Sequence, residues 1–249
     1  MEDRKFIIKE QGEEIFYKEN LKYYNLIKKV YDRFDGKDYT KSSMGAEYIF
    51  YNRLIKFILN NKPKFILELG SGYTTYLMGT LIQDYNLDTK LLSLENDKKW
   101  YDWIKKEKLD PLDSVVMSDL ESWNKDGKVF VKYTYDYNLD EVDYIVLDGP
   151  GHFEHKFEVG ECQVVTKSWP RDSRESHELN ITESHTHTVK RGINYNYCEI
   201  LEKQNKPVAM LIDGRHDTRK FYENMFTQNQ WSKKYIRTQD SIFKAPEKN

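Results

Sequence analysis

Phe65-Ile66-Leu67-Glu68-Leu69 is a short β-prone run that meets Gly70-Ser71-Gly72 and passes at once into an apolar helical pattern. A strand that stops at a Gly-x-Gly turn and restarts as a helix commits this part of the chain to an α/β architecture. The turn lets the backbone approach a neighbour closely and aims free helix N–H groups at what lies in front. The same alternation recurs downstream. Lys90 to Leu94 ends at Glu95 and leads into a helix over about Asp97 to Lys108. Ser114 to Met117 is followed by Ser118-Asp119, and Tyr144 to Leu147 ends in Asp148-Gly149-Pro150-Gly151. Pro207 to Ile212 ends at Asp213-Gly214 and precedes a short helix over Arg219 to Phe226, and 235–237 with Ser241 to Lys244 could close the sheet as an antiparallel hairpin. Strands separated by helices imply a doubly wound, mostly parallel sheet.

Two helices are expected before the sheet. Ile15, Phe16, Leu26, Ile27, Val30, Tyr31 and Phe34 suggest an amphipathic helix over 13–35, broken by Asp35-Gly36-Lys37-Asp38. Met44, Tyr48, Tyr51, Ile55 and Ile58 form the stripe of a second, from Ser43 to Asn60, stopped by Asn61-Lys62-Pro63. The expected organisation is an N-terminal helical extension over 1–41 and one α/β domain over 42–249. An insert over 152–193, in which Ser, Thr, His, Glu and Arg alternate without durable period, reads as a long loop or small subdomain.

Composition narrows the class. A formal net charge of −2 gives no electrostatic case for wide nucleic-acid binding. No run nears the roughly 18 apolar residues needed to span a bilayer, and the charged start has no signal-peptide core behind it. Two cysteines, Cys162 and Cys198, in no CxxC arrangement, fit a reduced, cytoplasmic setting.

Polar residues close the strands: Glu68, Glu95, Asp119, Asp148 and Asp213. In open α/β sheets ligands sit beyond the carboxyl ends of the strands, so five such residues point to one shared site. A carboxylate at Glu68 would repel a pyrophosphate and attract an ammonium or sulfonium. Glu68-Leu69-Gly70-Ser71-Gly72, with Glu95 about 25 residues on and Val146-Leu147-Asp148-Gly149-Pro150 later, resembles the class I S-adenosylmethionine-dependent methyltransferases, with their Rossmann-like α/β fold. A nicotinamide-type domain fits less well, because Tyr73-Thr74-Thr75 supplies no third glycine.

The resemblance implies cofactor contacts from Glu68, Gly70, Ser71 and Gly72, ribose hydroxyls on Glu95, and adenine beside Asn96 and Asp119. It places Asp148 at the mouth of the site and is similar to branches that O-methylate small molecules or glycans. Asp148 and His152 are the candidate catalytic bases. Arg215 and His216 are candidates for substrate binding. Asp148 with Asp213 could hold Mg²⁺ as an alternative route, although Gly214 stands where Mg²⁺-dependent relatives carry a second acid or amide. His185-Thr186-His187, with His177 upstream, invites a zinc reading only if the segment is extended. The rival functions are a non-catalytic nucleotide-binding scaffold and a nucleic-acid methyltransferase. The acceptor and oligomeric state stay open.

Overall fold

The computed structural model describes residues 5–10, 13–18, 23, 25–27, 29–30, 44–159, 162–165, 177–180, 183–190, 192–203, 208–212, 215–228, 233–234 and 241–244. The chain opens with β1 (Lys5–Glu10) and β2 (Glu13–Lys18), an antiparallel pair in the register Phe6↔Tyr17 and Ile8↔Ile15. Residues 13–18 are therefore strand, not the start of a helix. Helical geometry is described from Tyr23, at 25–27 and 29–30. Ile15-Phe16-Tyr17 and Phe6-Ile7-Ile8 are β-branched and aromatic runs on either side of a glycine, a hairpin pattern that outweighs the helical spacing of Ile15 and Phe16.

Helix α1 (Met44–Asn61) leads to β3 (Phe65–Leu69), and α2 (Tyr73–Asp84) follows the glycine turn. Next come β4 (Lys90–Glu95), α3 (Lys98–Lys106) and β5 (Val115–Met117). Strands β6 (Leu120–Lys125) and β7 (Lys128–Tyr133) form an antiparallel hairpin that the helix-and-strand alternation did not reveal. Its signal is Asp126-Gly127, both at positive φ (51° and 68°), as a two-residue hairpin turn requires. After β8 (Tyr144–Leu147) come β9 (His152–Phe157), β10 (Cys162–Val165), β11 (His177–Asn180), β12 (His185–Lys190) and β13 (Ile193–Asn194). Helix α4 (Asn196–Lys203), β14 (Ala209–Ile212), α5 (His216–Gln228), β15 (Lys233–Lys234) and β16 (Ser241–Lys244) complete the described chain. The expected strand at 235–237 lies outside the described residues, and the strand pairing with β16 is at Lys233–Lys234.

The main sheet has seven strands in the order β15-β16-β14-β8-β3-β4-β5. The five from β14 to β5 are parallel, and β16 runs antiparallel to β14. Numbered along the chain, the parallel strands lie in the order 3-2-1-4-5, the order of a doubly wound sheet. The fold is Rossmann-like α/β.

Alternate residues feed two cores, as the pleat demands. Ile66, Tyr144, Val146 and Leu211 pack with Leu54, Ile55, Ile58, Leu77 and Leu81 on one face. Phe65, Leu67, Leu69, Ile145, Leu147, Met210 and Ile212 pack with Tyr197, Ile200, Leu201 and Tyr222 on the other. Each such aliphatic side chain removed from water stabilises the fold by about 1.5–3 kcal/mol. Asp143 sets the register at the far end of the sheet: one oxygen accepts the N–H groups of Lys64 (2.7 Å) and Phe65 (3.0 Å).

The region after β8 is not patternless. β9 pairs with β12, β10 with β11, and β13 runs parallel to β7, making a three-stranded sheet β13-β7-β6. His155 fastens the β9–β12 pair to β6, with Nδ1 2.8 Å from Ser122 Oγ and Nε2 3.1 Å from Asn124 Oδ1. The described part of the expected insert is thus a set of antiparallel pairs, one of them held beside the three-stranded sheet through His155.

Tyr144 stacks on Phe57 (4.0 Å, 19°), and its buried hydroxyl has no hydrogen-bond partner. An unsatisfied buried hydroxyl costs more than a methine in its place. Tyr144→Phe is expected to raise unfolding free energy by about 1 kcal/mol in urea titration; an equal loss would show that the hydroxyl is bonded.

Candidate active site at the strand ends

The chain crosses from β5 back to β8 on the other side of β3, so β3 and β8 flank the topological switch point, where doubly wound sheets open a crevice. The turns after these two strands touch. Gly70 has φ +92°, and a Cβ there would lie 2.5 Å from Gly149 Cα; a Cβ on Gly149 would lie 2.5 Å from Gly70 Cα and strike the Tyr133 hydroxyl. Neither position admits a side chain. The Gly70 N–H donates to Leu94 O (2.8 Å), the Asp148 N–H to Leu69 O (2.9 Å) and the Gly149 N–H also to Leu69 O. The freedom of Gly70 therefore serves the crossing of two turns. Gly72, in contrast, would bring a Cβ only into ordinary contact with Trp100 (3.6 Å).

Glu68 lies beneath the turn. Its parity in the pleat is that of Ile66, so it points to the α2 side, where it is wholly buried. Thr74 and Ser93 hydroxyls donate to its two oxygens, and Thr75 Oγ1 donates to Oε2 at 2.5 Å. Thr75 Oγ1 in turn accepts the Gly72 N–H (2.9 Å), so the carboxylate anchors the start of α2 from below. The sequence reading set Glu68 facing a ligand; sealed by three hydroxyls, it does not reach the surface of the crevice. Burial raises its pKa to about 7, against the downward pull of the Ser93, Thr74 and Thr75 hydrogen bonds.

Glu95, at the end of β4, lies above it. Its Oε2 accepts both the N–H (3.0 Å) and the hydroxyl (2.7 Å) of Ser71, and Oε1 accepts the Asp97 N–H (2.8 Å). Burial raises its pKa while these hydrogen bonds oppose the rise. Trp100 Nε1 donates to Ser71 O (2.6 Å), which fixes the turn against α3. Asn96 follows: its Oδ1 accepts from the Tyr133 hydroxyl (3.3 Å) and its Nδ2 lies 3.5 Å from His152 O.

Tyr133 is the site residue that the sequence reading missed. Asn196 clamps its backbone on both sides, accepting its N–H (2.9 Å) and donating to its carbonyl (2.9 Å). The phenol is thereby held between Asn96 and Gly149. Burial pushes its pKa well up, with Glu95 and Asp148 adding to the rise and Arg215 opposing it, so it is a donor at neutral pH.

Asp148 ends β8 with its side chain 34% exposed, 4.0 Å from Arg215 Nη2. Arg215 points inward: it is buried, and Nη1 donates to Pro150 O (2.6 Å). It braces the Asp148-Gly149-Pro150 turn rather than offering a surface cation. His152 is exposed at the start of β9, and Asp119 is exposed beyond β5, its carbonyl accepting from Thr134 N (3.0 Å). The strand ends thus gather Gly70, Ser71, Gly72, Glu95, Asn96 and Asp148, with His152 close by through its backbone. His216 opens α5, and its side chain, like Asp213, lies outside the described residues.

One half of the expected Asp148–Asp213 metal pair, Asp213, thus lies outside the described residues. Among the described residues no group of three or more His, Cys, Asp or Glu could hold a metal ion. His185 and His187 do lie on an extended strand with rings 4.4 Å apart, but His185 Nδ1 is engaged by Glu183 O (3.0 Å) and His155 by Ser122 and Asn124. No helix among the described residues is long and apolar enough to cross a membrane.

No protein-family model matches the chain, and no curated protein matches it. Among solved structures it is similar to a chain from Pyrococcus horikoshii described as a candidate RNA methyltransferase, at 10% identity and a TM-score of 0.41, over 90% of this chain and 95% of that one. A likeness of that level speaks to neither cofactor nor acceptor.

Glu68 gives the site a pH signature. Its folded pKa of about 7 exceeds the ordinary 4.5, so the folded state holds a proton that the unfolded chain releases between these values. Its contribution is full below about pH 4.5 and declines as pH rises towards 7. The stability of the wild type relative to Glu68→Gln is expected to fall between pH 5 and 8, by up to ~3 kcal/mol. Parallel stability curves in chemical denaturation would contradict it.

Proposed function

We propose that the protein is an S-adenosylmethionine-dependent methyltransferase acting on a hydroxyl of a small molecule or glycan. One observation carries this reading. At the switch point, the Gly70-Ser71-Gly72 turn is bonded directly to the Glu95 carboxylate on one side and crosses the Asp148-Gly149 turn on the other. Glu95, an acid suited to accept hydroxyls, and the partly open Asp148 carboxylate thus lie on opposite flanks of one glycine turn, which supports the reading.

The residues present fit the cofactor. Glu95 is a carboxylate at a strand end, suited to accept the two hydroxyls of a ribose, and Asn96 and Asp119, just past the ends of β4 and β5, are assigned to its adenine side. The N–H groups of the turn are spent within the protein, on Leu94 O, the Glu95 carboxylate and Thr75 Oγ1, so they shape the turn and leave ligand binding to side chains, and Glu68 holds that turn in place from beneath. Bound S-adenosylmethionine supplies a methyl group on a positively charged sulfur.

The chain's own residues then have two tasks. They must hold an acceptor oxygen in line and take its proton. Asp148 is the base we favour: its carboxylate is partly open, and Arg215 fixes the turn that carries it. His152, exposed just beyond, is the alternative base. Tyr133, protonated and held by Asn196, keeps Asn96 and Gly149 in place and so sets the width of the crevice. The β9–β12 pair, fastened through His155, supplies the acceptor-side wall. His216 is assigned to acceptor binding by position alone.

Isothermal titration with S-adenosylmethionine tests this function. The wild type is expected to bind, Glu95→Ala to bind at least about tenfold more weakly, as expected for lost hydrogen bonds to a charged group, and Asp148→Asn to keep binding while losing methyl transfer. A wild type that gives no binding heat would contradict the reading.

A further inference from the structure

The Glu95 carboxylate is already nearly full. A carboxylate offers about four lone-pair positions. Here the Ser71 N–H (3.0 Å) and the Ser71 hydroxyl (2.7 Å) fill Oε2, and the Asp97 N–H (2.8 Å) takes one position of Oε1. Ser71 and Glu95 are 8% and 5% exposed, so water cannot readily replace a bond lost between them. A ribose that is to place both of its hydroxyls on Glu95 must therefore displace a donor.

Only one of these donors can leave cheaply. The two N–H groups belong to backbone, and Trp100 Nε1 pins the Ser71 carbonyl at 2.6 Å. The Ser71 hydroxyl needs only a rotation about χ1 between staggered wells. We propose that this hydroxyl is a latch: it holds the place of a ribose hydroxyl on Glu95 and yields it to a ligand carrying a vicinal diol. The proposal rests on the cofactor reading above and names the residue that gates the ribose subsite.

The exchange balances in hydrogen bonds. One ligand hydroxyl donates to Oε2 where Ser71 did, and the released Ser71 hydroxyl is free to pair with the neighbouring ligand hydroxyl. A nucleoside without the diol has nothing to offer in exchange and leaves Ser71 on Glu95. Ser71 thus tempers the affinity for a ribonucleoside, below what an open Glu95 would give, and leaves that for a nucleoside without the diol untouched.

The test measures how well adenosine and 2′,3′-dideoxyadenosine displace S-adenosylhomocysteine from the wild type and from Ser71→Ala. The variant is expected to bind adenosine roughly three- to tenfold more tightly, the worth of about one hydrogen bond, and dideoxyadenosine unchanged. Ser71→Cys, which keeps the bulk and weakens the donor, is expected to move in the same direction by less. An unchanged or weaker affinity for adenosine, or an equal gain for both nucleosides, overturns the latch and leaves the cofactor reading standing. A wild type that binds neither S-adenosylhomocysteine nor adenosine overturns both.

Discussion

Backbone meets backbone where the turns after β3 and β8 cross at Gly70 and Gly149, and that contact sets the spacing of every polar group around it. With a methyl group at either position the turns would have to separate. Leu69 O could no longer collect the N–H groups of both Asp148 and Gly149, and the Tyr133 hydroxyl would lose its place beside Gly149. The crevice at the switch point is thus shaped first by what is missing from two residues. The side chains come second.

Two acidic residues then divide the work by depth. Glu68, buried below, is tied to Thr74, Thr75 and Ser93, and through Thr75 to the Gly72 N–H. Its task is to hold the turn. Glu95, above, is tied to Ser71 and Asp97, and it is the one acid of the two that a ligand hydroxyl could reach by displacing a single side chain. Both lie in low-dielectric surroundings that favour their neutral forms. Supplying donors from the turn itself offsets that cost and makes the turn rigid.

Much of this was legible in the sequence, for definite reasons. The strands of a parallel sheet are buried on both faces, so Phe65–Leu69, Tyr144–Leu147 and Ala209–Ile212 stand out as apolar runs, each ending in a polar turn. Asp148 and the glycines could be found because they follow directly on those runs, and Glu95 because it closes the run Lys90–Leu94. The orientation of Glu68 follows from its parity with Ile66, a signal present in the sequence and outweighed by the motif's suggestion of a ligand contact. The β6–β7 hairpin was hidden because its strands are only partly buried and lack a clean period; its one sharp mark was Asp126-Gly127. Tyr133 was invisible for a different reason. Its position depends on Asn196, 63 residues later, and on β13 pairing beside β7. Long-range pairing of that kind leaves no local trace.

The central claim is that a nucleoside cofactor lies across the ends of β3 and β4, with Asp148 on its reacting side. A crystal structure with S-adenosylhomocysteine tests it most directly. The account predicts ribose hydroxyls within about 3 Å of the Glu95 carboxylate, the thioether sulfur facing Asp148, and the Ser71 hydroxyl turned away from Glu95. Ligand density seated instead in the cavity of about 560 Å³ lined by Phe130, Tyr195 and Phe221, with Ser71 still bonded to Glu95, would contradict it.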